Sequence, residues 1–243
     1  MAEFTLTKTP YGQFLLCDWE VVDQVVASGS FWDSFLQPYF DKCAGPEAVA
    51  IDVGANQGFH SVYLSPRYKK VYSFEMQKWV YWLLCANLAL NYCYNVDAIN
   101  MAAFDKDGNV SLATNDQLQF GFHRLPNGEI DYPAEAHFSS PGVQDLPGNM
   151  SACRIDSVVP LDDPVTLIKV DVQGADLRVL KGCEKILTRW HPAILFEYEG
   201  VSASLHGASL EDYYAFLTPF GYSFQTLEGG QATNVACEVP SEA

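Results

Sequence analysis

Residues 51–58 form a glycine-containing motif with the sequence IDVGANQG. The motif follows an apolar run and precedes a helical pattern, so it predicts a turn from a buried strand into a helix. Glycine lets a ligand approach the backbone at such a turn, and amides at a helix N-terminus bind electronegative ligand atoms. A dinucleotide motif G-x-G-x-x-G starting at Gly54 would need glycine where Asn56 and Phe59 stand. We therefore expect a single nucleoside with an amino-acid tail to bind here.

From about residue 48 to residue 228, strand patterns alternate with helix patterns, which predicts a parallel sheet with helical crossovers. Short apolar runs predict buried central strands at 48–53, 70–74, 165–170 and 193–196. Residues 222–227 and 233–239 predict a terminal antiparallel hairpin. The expected fold is a doubly wound α/β sheet, mostly parallel, with this C-terminal hairpin.

Helices and two further regions complete the expected organisation. Spaced apolar residues predict one amphipathic helix over 175–190, and Ser209 with Asp212 predicts a capping box that starts another. Residues 1–46 are expected to form a lead-in strand and helices, either as a cap on one sheet edge or as a substrate-binding lid. Residues 47–243 form the main domain, and its irregular Gly- and Pro-containing insertion at about 113–150 is a candidate binding loop.

Charge and composition limit the partners. The 243 residues carry a net charge of -16, which disfavours nucleic acid and anionic membranes as partners. The seven cysteines have no CxxC spacing and the histidines no metal-ligand spacing, so neither a disulfide framework nor a metal site is expected. The sequence shows no signal-peptide pattern at its start and no apolar run of bilayer length, and we expect a cytoplasmic protein.

Acidic residues follow three of the predicted strands. Glu75 ends the second strand, 23 residues after Asp52, a spacing typical of an acid that accepts the hydroxyl groups of a ribose. Asp171 and Glu197 end two later strands and are expected on the same rim of the sheet. Either acid could act as a general base, and Asp171 could instead contact the ammonium group of the cofactor or a cation.

With these features the chain resembles the FkbM-type methyltransferases over most of its length. The matching segments are residues 18–32, 51–58, 74–75, 85–87, 90–91, 103–108, 155–156, 168–174, 179–182 and 196–197. The resemblance implies a Rossmann-like class I methyltransferase fold and S-adenosylmethionine as cofactor. It also implies methyl transfer to a hydroxyl oxygen of a small molecule or sugar.

The resemblance assigns roles to single residues. The cofactor-binding residues are expected to be Asp52, Gly54, Asn56 and Gly58 at the methionine end, Glu75 at the ribose, and Met101 and Ala102 at the adenine. Asp171 and Glu197 are expected to border the transfer site as the catalytic residues. The chain departs from the family pattern at Met76, where a proline often follows the glutamate, and at Gln173, where many relatives have glutamate.

Other functions stay open at this point. Methyl transfer to nitrogen or to a carboxylate needs no general base of this kind. Met76 and Gln173 also fit a cofactor-binding interaction module that has lost its transfer activity. A dehydrogenase is disfavoured because the turn lacks the second glycine of a dinucleotide site.

Overall fold

The computed structural model describes residues 4–16, 21–112, 123–124, 130–131, 143–144, 148, 150–227 and 233–240. The strands are β1 (Thr5–Thr9), β2 (Gly12–Leu16), β3 (Gly45–Val53), β4 (Tyr68–Phe74), β5 (Val96–Ile99), β6 (Ala102–Ala103), β7 (Gly108–Leu112), β8 (His123–Arg124), β9 (Ile130–Asp131), β10 (Val143–Gln144), β11 (Met150–Cys153), β12 (Val165–Val170), β13 (Ala193–Tyr198), β14 (Ser223–Leu227) and β15 (Thr233–Glu238). The helices are α1 (Val21–Ala27), α2 (Gln37–Lys42), α3 (Phe59–Leu64), α4 (Lys78–Leu90), α5 (Ile155–Val158), α6 (Asp176–Lys181), α7 (Glu184–Trp190), α8 (Gly200–Leu205) and α9 (Leu210–Leu217).

Seven strands form the central sheet in the order β14-β15-β13-β12-β3-β4-β5. The five strands from β13 to β5 are parallel, while β15 pairs antiparallel with both β13 and β14. The chain runs outward from β3 to β4 and β5 and then returns to β12 on the other side of β3. The carboxyl ends of β3 and β12 therefore flank the point where the strand order reverses, which is where ligands bind in open α/β sheets. This topology confirms the predicted doubly wound fold and its C-terminal hairpin.

Alternate side chains of the central strands face two different cores. In β3, Ile51 packs in the core with α6, α7 and α9, whereas Ala50 packs in the opposite core with α3. In β12, Ile168 and Leu167 divide in the same way. Because successive strand residues point to opposite faces, a strand buried on both sides is mostly apolar, as the sequence pattern predicts.

The lead-in covers one face of the sheet and not an edge. Phe31, Leu36 and Phe40 are buried in the α3-side core, which also contains residues of the strands from β4 to β15. The expectation of an edge cap is therefore wrong. The helix α3 has only six residues, and the lead-in aromatic groups pack beside it on this face.

The lead-in hairpin of β1 and β2 is attached to α4 through two asparagines. The N–H of Leu15 donates to Asn87 Oδ1 at 2.8 Å, and the N–H of Gln13 donates to Asn91 Oδ1 at 2.8 Å. Asn91 Nδ2 donates in return to the carbonyl oxygen of Gln13 at 2.7 Å. The side-chain amides of Asn87 in α4 and of Asn91, the residue directly after α4, thus bind the backbone of β2, whose other edge pairs with β1.

The helix predicted over 175–190 is two helices, because the N–H groups of Lys185 and Ile186 bond to the distant side chain of Asp156 and not to the preceding turn. Helix α6 ends before Gly182, whose carbonyl oxygen accepts the N–H of Asp156 at 3.0 Å. The N–H of Ile186, which would bond to Gly182 in a continuous helix, donates instead to Asp156 Oδ1 at 3.1 Å. Asp156 therefore separates α6 from α7. The capping box predicted at Ser209 and Asp212 is confirmed at the start of α9.

The predicted insertion at 113–150 lies largely outside the described residues. Its described parts include β10, which pairs with β7, and the short pair of β8 and β9. Its role as a binding loop stays a prediction. Among the described helices none is long and apolar enough to cross a bilayer, and the longest, α4, has 13 residues.

Candidate functional site at the carboxyl ends of the central strands

The turn after β3 has a backbone conformation that requires glycine. Gly54 has φ 72° and Gly58 has φ 90°, in the left-handed region. A Cβ atom on Gly54 would lie 1.9 Å from the carbonyl oxygen of Asp171, so the ends of β3 and β12 touch at this point. The N–H groups of Gly54 and Ala55 both donate to the carbonyl oxygen of Phe74 at 3.0 Å. The turn is therefore fixed between the ends of β12 and β4.

Glu75 lies directly beneath this turn, as the spacing from Asp52 predicts. Its Oε2 accepts the N–H of Asn56 at 3.1 Å, and its Oε1 accepts the N–H of Gln77 at 2.8 Å. Asn100 Nδ2 donates to the carbonyl oxygen of Glu75 at 2.8 Å and holds the end of β4 in place. Burial raises the pKa of Glu75 to about 7, although the two backbone N–H groups oppose that rise. Each carboxylate oxygen keeps lone pairs for a further donor.

A buried lysine connects the turn with the acids of the neighbouring strand. Lys169 Nζ donates to the carbonyl oxygen of Gly54 at 3.1 Å and lies 3.4 Å from Asp52 Oδ1 and 3.6 Å from Asp171 Oδ2. Burial alone would lower the pKa of Lys169, but Asp52 and Asp171 raise it above its usual range, so the side chain stays charged. Ser61 Oγ donates to Asp52 Oδ2 at 2.6 Å. Asp52 is fully buried, and its Oδ1, which faces Lys169, has no hydrogen-bond partner among the described residues.

Asp171 and Glu197 lie together at the rim, as predicted from their positions at strand ends. The charge of Asp171 acts on Glu197, and the side chain of Asp171 is 28% exposed. Burial, followed by the charges of Asp171 and Asp176, raises the pKa of Glu197 well above its usual range. The raised pKa favours the protonated form of Glu197 at neutral pH.

Two acids and one lysine of this site were missed in the sequence. Asp33 in the lead-in has φ 52°, and burial together with Asp171 raises its pKa to about 6. Asp176 at the start of α6 is fully buried, and burial raises its pKa to about 7. Lys169 lies within an apolar strand pattern. The signal that could have marked it is a single charge inside a run otherwise typical of a buried strand.

The residues expected at the adenine follow β5. Ala102 is buried in β6 and pairs with Ala152 of β11, while Met101 is partly buried against the α6-side core. Their approach to an adenine ring stays a prediction. Among the described residues, no group of three or more His, Cys, Asp and Glu side chains could hold a metal ion.

Comparison with known proteins identifies the family. A family model described as the methyltransferase FkbM domain matches residues 52–224. The structure is similar to the FkbM methyltransferase from Methylobacillus flagellatus KT, with a TM-score of 0.53 and 16% identity over 79% of this chain and 44% of that chain. It is also similar to an rRNA methylase from Streptococcus thermophilus, with a TM-score of 0.52 and 13% identity over 84% of this chain and 93% of that chain.

A Streptococcus mutans protein in complex with SAH has a TM-score of 0.50 and 15% identity over 83% of this chain and 93% of that chain. No curated protein sequence matches the chain. The chain spans less than half the length of the Methylobacillus flagellatus protein, at 44%. Identities this low establish a shared fold, while the family model covers more than half of the chain. The chain therefore belongs to the FkbM methyltransferase family.

Proposed function

We propose that this chain transfers a methyl group from S-adenosylmethionine to a hydroxyl oxygen of a small molecule or carbohydrate. The observation that carries the proposal is the buried Glu75 carboxylate under the glycine turn, held by the N–H groups of Asn56 and Gln77. This carboxylate lies at the end of the strand next to β3, where it can accept the hydroxyl groups of a ribose. The family membership and the SAH complex of the structurally similar Streptococcus mutans protein support the same cofactor.

The residues of the turn fit such a cofactor. Asn56 Oδ1 is buried and has no hydrogen-bond partner among the described residues, which leaves an acceptor for the ammonium group of a methionine tail. The open lone pairs of Glu75 suit two ribose hydroxyls. Asp52 contributes indirectly in this proposal, because it fixes Lys169 and Ser61.

The bound cofactor supplies an electrophilic methyl group on a sulfonium. Asp171 is the partly exposed acid at the rim, and we assign it as the group that accepts the proton of the acceptor hydroxyl. Asp171 would take up the proton that the acceptor hydroxyl loses when its oxygen receives the methyl group. The raised pKa of Glu197 favours its protonated form, so we assign it the role of orienting Asp171 and not that of the base.

Lys169 holds the same base from the other side. Its ammonium contacts Asp171 Oδ2 and the carbonyl oxygen of Gly54, so one side chain fixes the base relative to the cofactor turn. Alignment of the hydroxyl with the methyl group is the larger contribution in this proposal, since positioning can supply roughly 7–11 kcal/mol.

The first experiment is titration calorimetry with S-adenosylmethionine, SAH and NAD. We expect binding of both sulfur nucleosides, no binding of NAD, and loss of binding in Glu75→Ala. A folded wild-type protein that binds neither sulfur nucleoside would contradict the proposal.

The second experiment compares Asp171→Asn with Glu197→Gln on an acceptor found by screening hydroxylated metabolites. For a hydroxyl acceptor, Asp171→Asn is expected to lower kcat by about 10²–10⁴-fold with SAH affinity retained, and Glu197→Gln is expected to lower it much less. Unchanged turnover in Asp171→Asn would favour a nitrogen or carboxylate acceptor. Binding without turnover on acceptors of any class would favour a non-catalytic cofactor-binding module.

A further inference from the structure

Gln57 lies between two residues of the proposed cofactor turn, but its side chain points into the lead-in. Gln57 Nε2 donates to Asp23 Oδ1 of α1 at 2.8 Å. Both side chains are buried, with 1% of Gln57 and 0% of Asp23 exposed. A carboxylate only accepts hydrogen bonds, so this contact has a fixed direction from amide to acid.

The backbone of the same residue is held from the other side. Asn87 Nδ2 donates to the carbonyl oxygen of Gln57 at 2.9 Å, and Asn87 Oδ1 accepts the N–H of Leu15 in β2. Residue 57 is thus tied directly to α1 and, through Asn87, to the lead-in hairpin. Two separate parts of the lead-in meet at one residue of the turn.

This support acts beside a residue with a left-handed backbone. Asn56 has φ 51°, a region that few residues other than glycine and asparagine adopt. In this conformation the N–H of Asn56 reaches Glu75, and its buried Oδ1 has no partner among the described residues. Any movement of Gln57 is passed directly to Asn56 and Gly58, its neighbours in the chain.

We propose that Asp23 and Gln57 are positioning residues of the cofactor site, and that the lead-in is an integral part of that site. The proposal rests on the proposed use of the glycine turn for S-adenosylmethionine. Asp23 and Gln57 act through Asn56 and Gly58 and need not touch the cofactor.

The test exchanges the carboxylate and the amide between positions 23 and 57. Gln57→Glu places two carboxylates against each other in a buried contact, and it is expected to weaken SAH binding by about tenfold or more. In the double variant Asp23→Asn with Gln57→Glu, the introduced amide can donate to the introduced carboxylate. We expect this variant to bind SAH within about threefold of wild type, measured by calorimetry.

Tyr222→Phe is the control. It removes a buried hydrogen bond to the carbonyl oxygen of Pro192, outside the lead-in and the glycine turn, so we expect a lower Tm and unchanged SAH affinity. Wild-type affinity in a folded Gln57→Glu variant would overturn the proposal. So would a double variant that regains the wild-type Tm but not the affinity.

A second readout separates this proposal from the proposed function. Amide hydrogen exchange of residues 54–58 without ligand is expected to be faster in Gln57→Glu, to return to the wild-type rate in the double variant, and to be unchanged in Tyr222→Phe. If the wild-type chain binds neither SAM nor SAH, the proposed function fails, and this exchange pattern still decides whether Asp23 and Gln57 position the turn. Unchanged exchange in Gln57→Glu would overturn that role.

Discussion

Lys169 Nζ lies 3.6 Å from Asp171 Oδ2, so a buried cation contacts the acid that we assign as the base. The same cation faces the fully buried Asp52. Lys169→Met would leave Asp52 as a buried charge without its partner, and we expect it to lower the free energy of unfolding by about 3–5 kcal/mol. Urea unfolding measures this change. Lys42→Met, which removes an exposed pair with Glu238, is the control and should change stability little. Equal losses in the two variants would contradict this account.

The affinity for SAH is expected to increase with pH up to neutrality. Glu75 has a pKa of about 7 and is therefore protonated in the free protein at lower pH. Ribose hydroxyls bond more strongly to an ionised carboxylate than to a protonated one. Calorimetry should show the dissociation constant falling by up to about tenfold per pH unit below pH 7 and levelling off above it. In Glu75→Gln the binding that remains should lose this dependence, and a flat wild-type profile would exclude Glu75 as the titrating group.

Gly54 should not tolerate a side chain. Gly54→Ala combines a left-handed φ with an overlap of Cβ and the carbonyl oxygen of Asp171, so β3 and β12 would have to separate. We expect a loss of about 2–5 kcal/mol in the free energy of unfolding and weaker SAH binding. Gly45→Ala is the matched control, because a Cβ there meets only the side chain of Ala48 at 3.8 Å. Denaturant unfolding and calorimetry on both variants test the difference.

Because burial raises the pKa of Asp176, we expect the free energy of unfolding to fall as the pH rises. Its folded pKa of about 7 lies above the unfolded value, so the stability it contributes is full at low pH and is lost as pH rises through about 7. Asp176→Asn should therefore change stability little near pH 4 and raise it by on the order of 2–4 kcal/mol near pH 8. Unfolding curves at the two pH values measure the effect. The exposed Asp162 offers the control, since Asp162→Asn should show no such gain.

Local sequence patterns predicted the strands and the glycine turn. They could not predict hydrogen bonds between residues that are distant in the sequence. The helix pattern over 175–190 continues through Gly182 because Leu177, Leu180 and Leu187 bury the same face on both sides of the break. The break depends on Asp156, which folding brings beside Gly182. Periodicity reports which face is buried, and it does not report whether one backbone bond is replaced.

The residues of the candidate site likewise fall into those that local patterns predicted and those that they did not. Glu75, Asp171 and Glu197 were predictable because strand ends in a parallel sheet meet at one edge. Asp33 and Asp23 belong to the lead-in, and their positions depend on how that segment covers the sheet face. No local pattern specifies that packing, so the sequence alone did not connect the lead-in with the glycine turn.

The two asparagines can both bond to the lead-in hairpin because their spacing matches the spacing of the backbone groups along β2. Asn87 and Asn91 are four residues apart, a rise of about 6 Å along a helix, and Leu15 and Gln13 are two apart, about 6.8 Å along a strand. A helix can therefore stand in for a neighbouring strand by offering side-chain amides at the strand's own spacing. Open strand edges are where chains pair with one another and aggregate. Here the two asparagines occupy the edge of β2 that faces away from β1, so this edge is protected from pairing with another chain although no further strand among the described residues covers it.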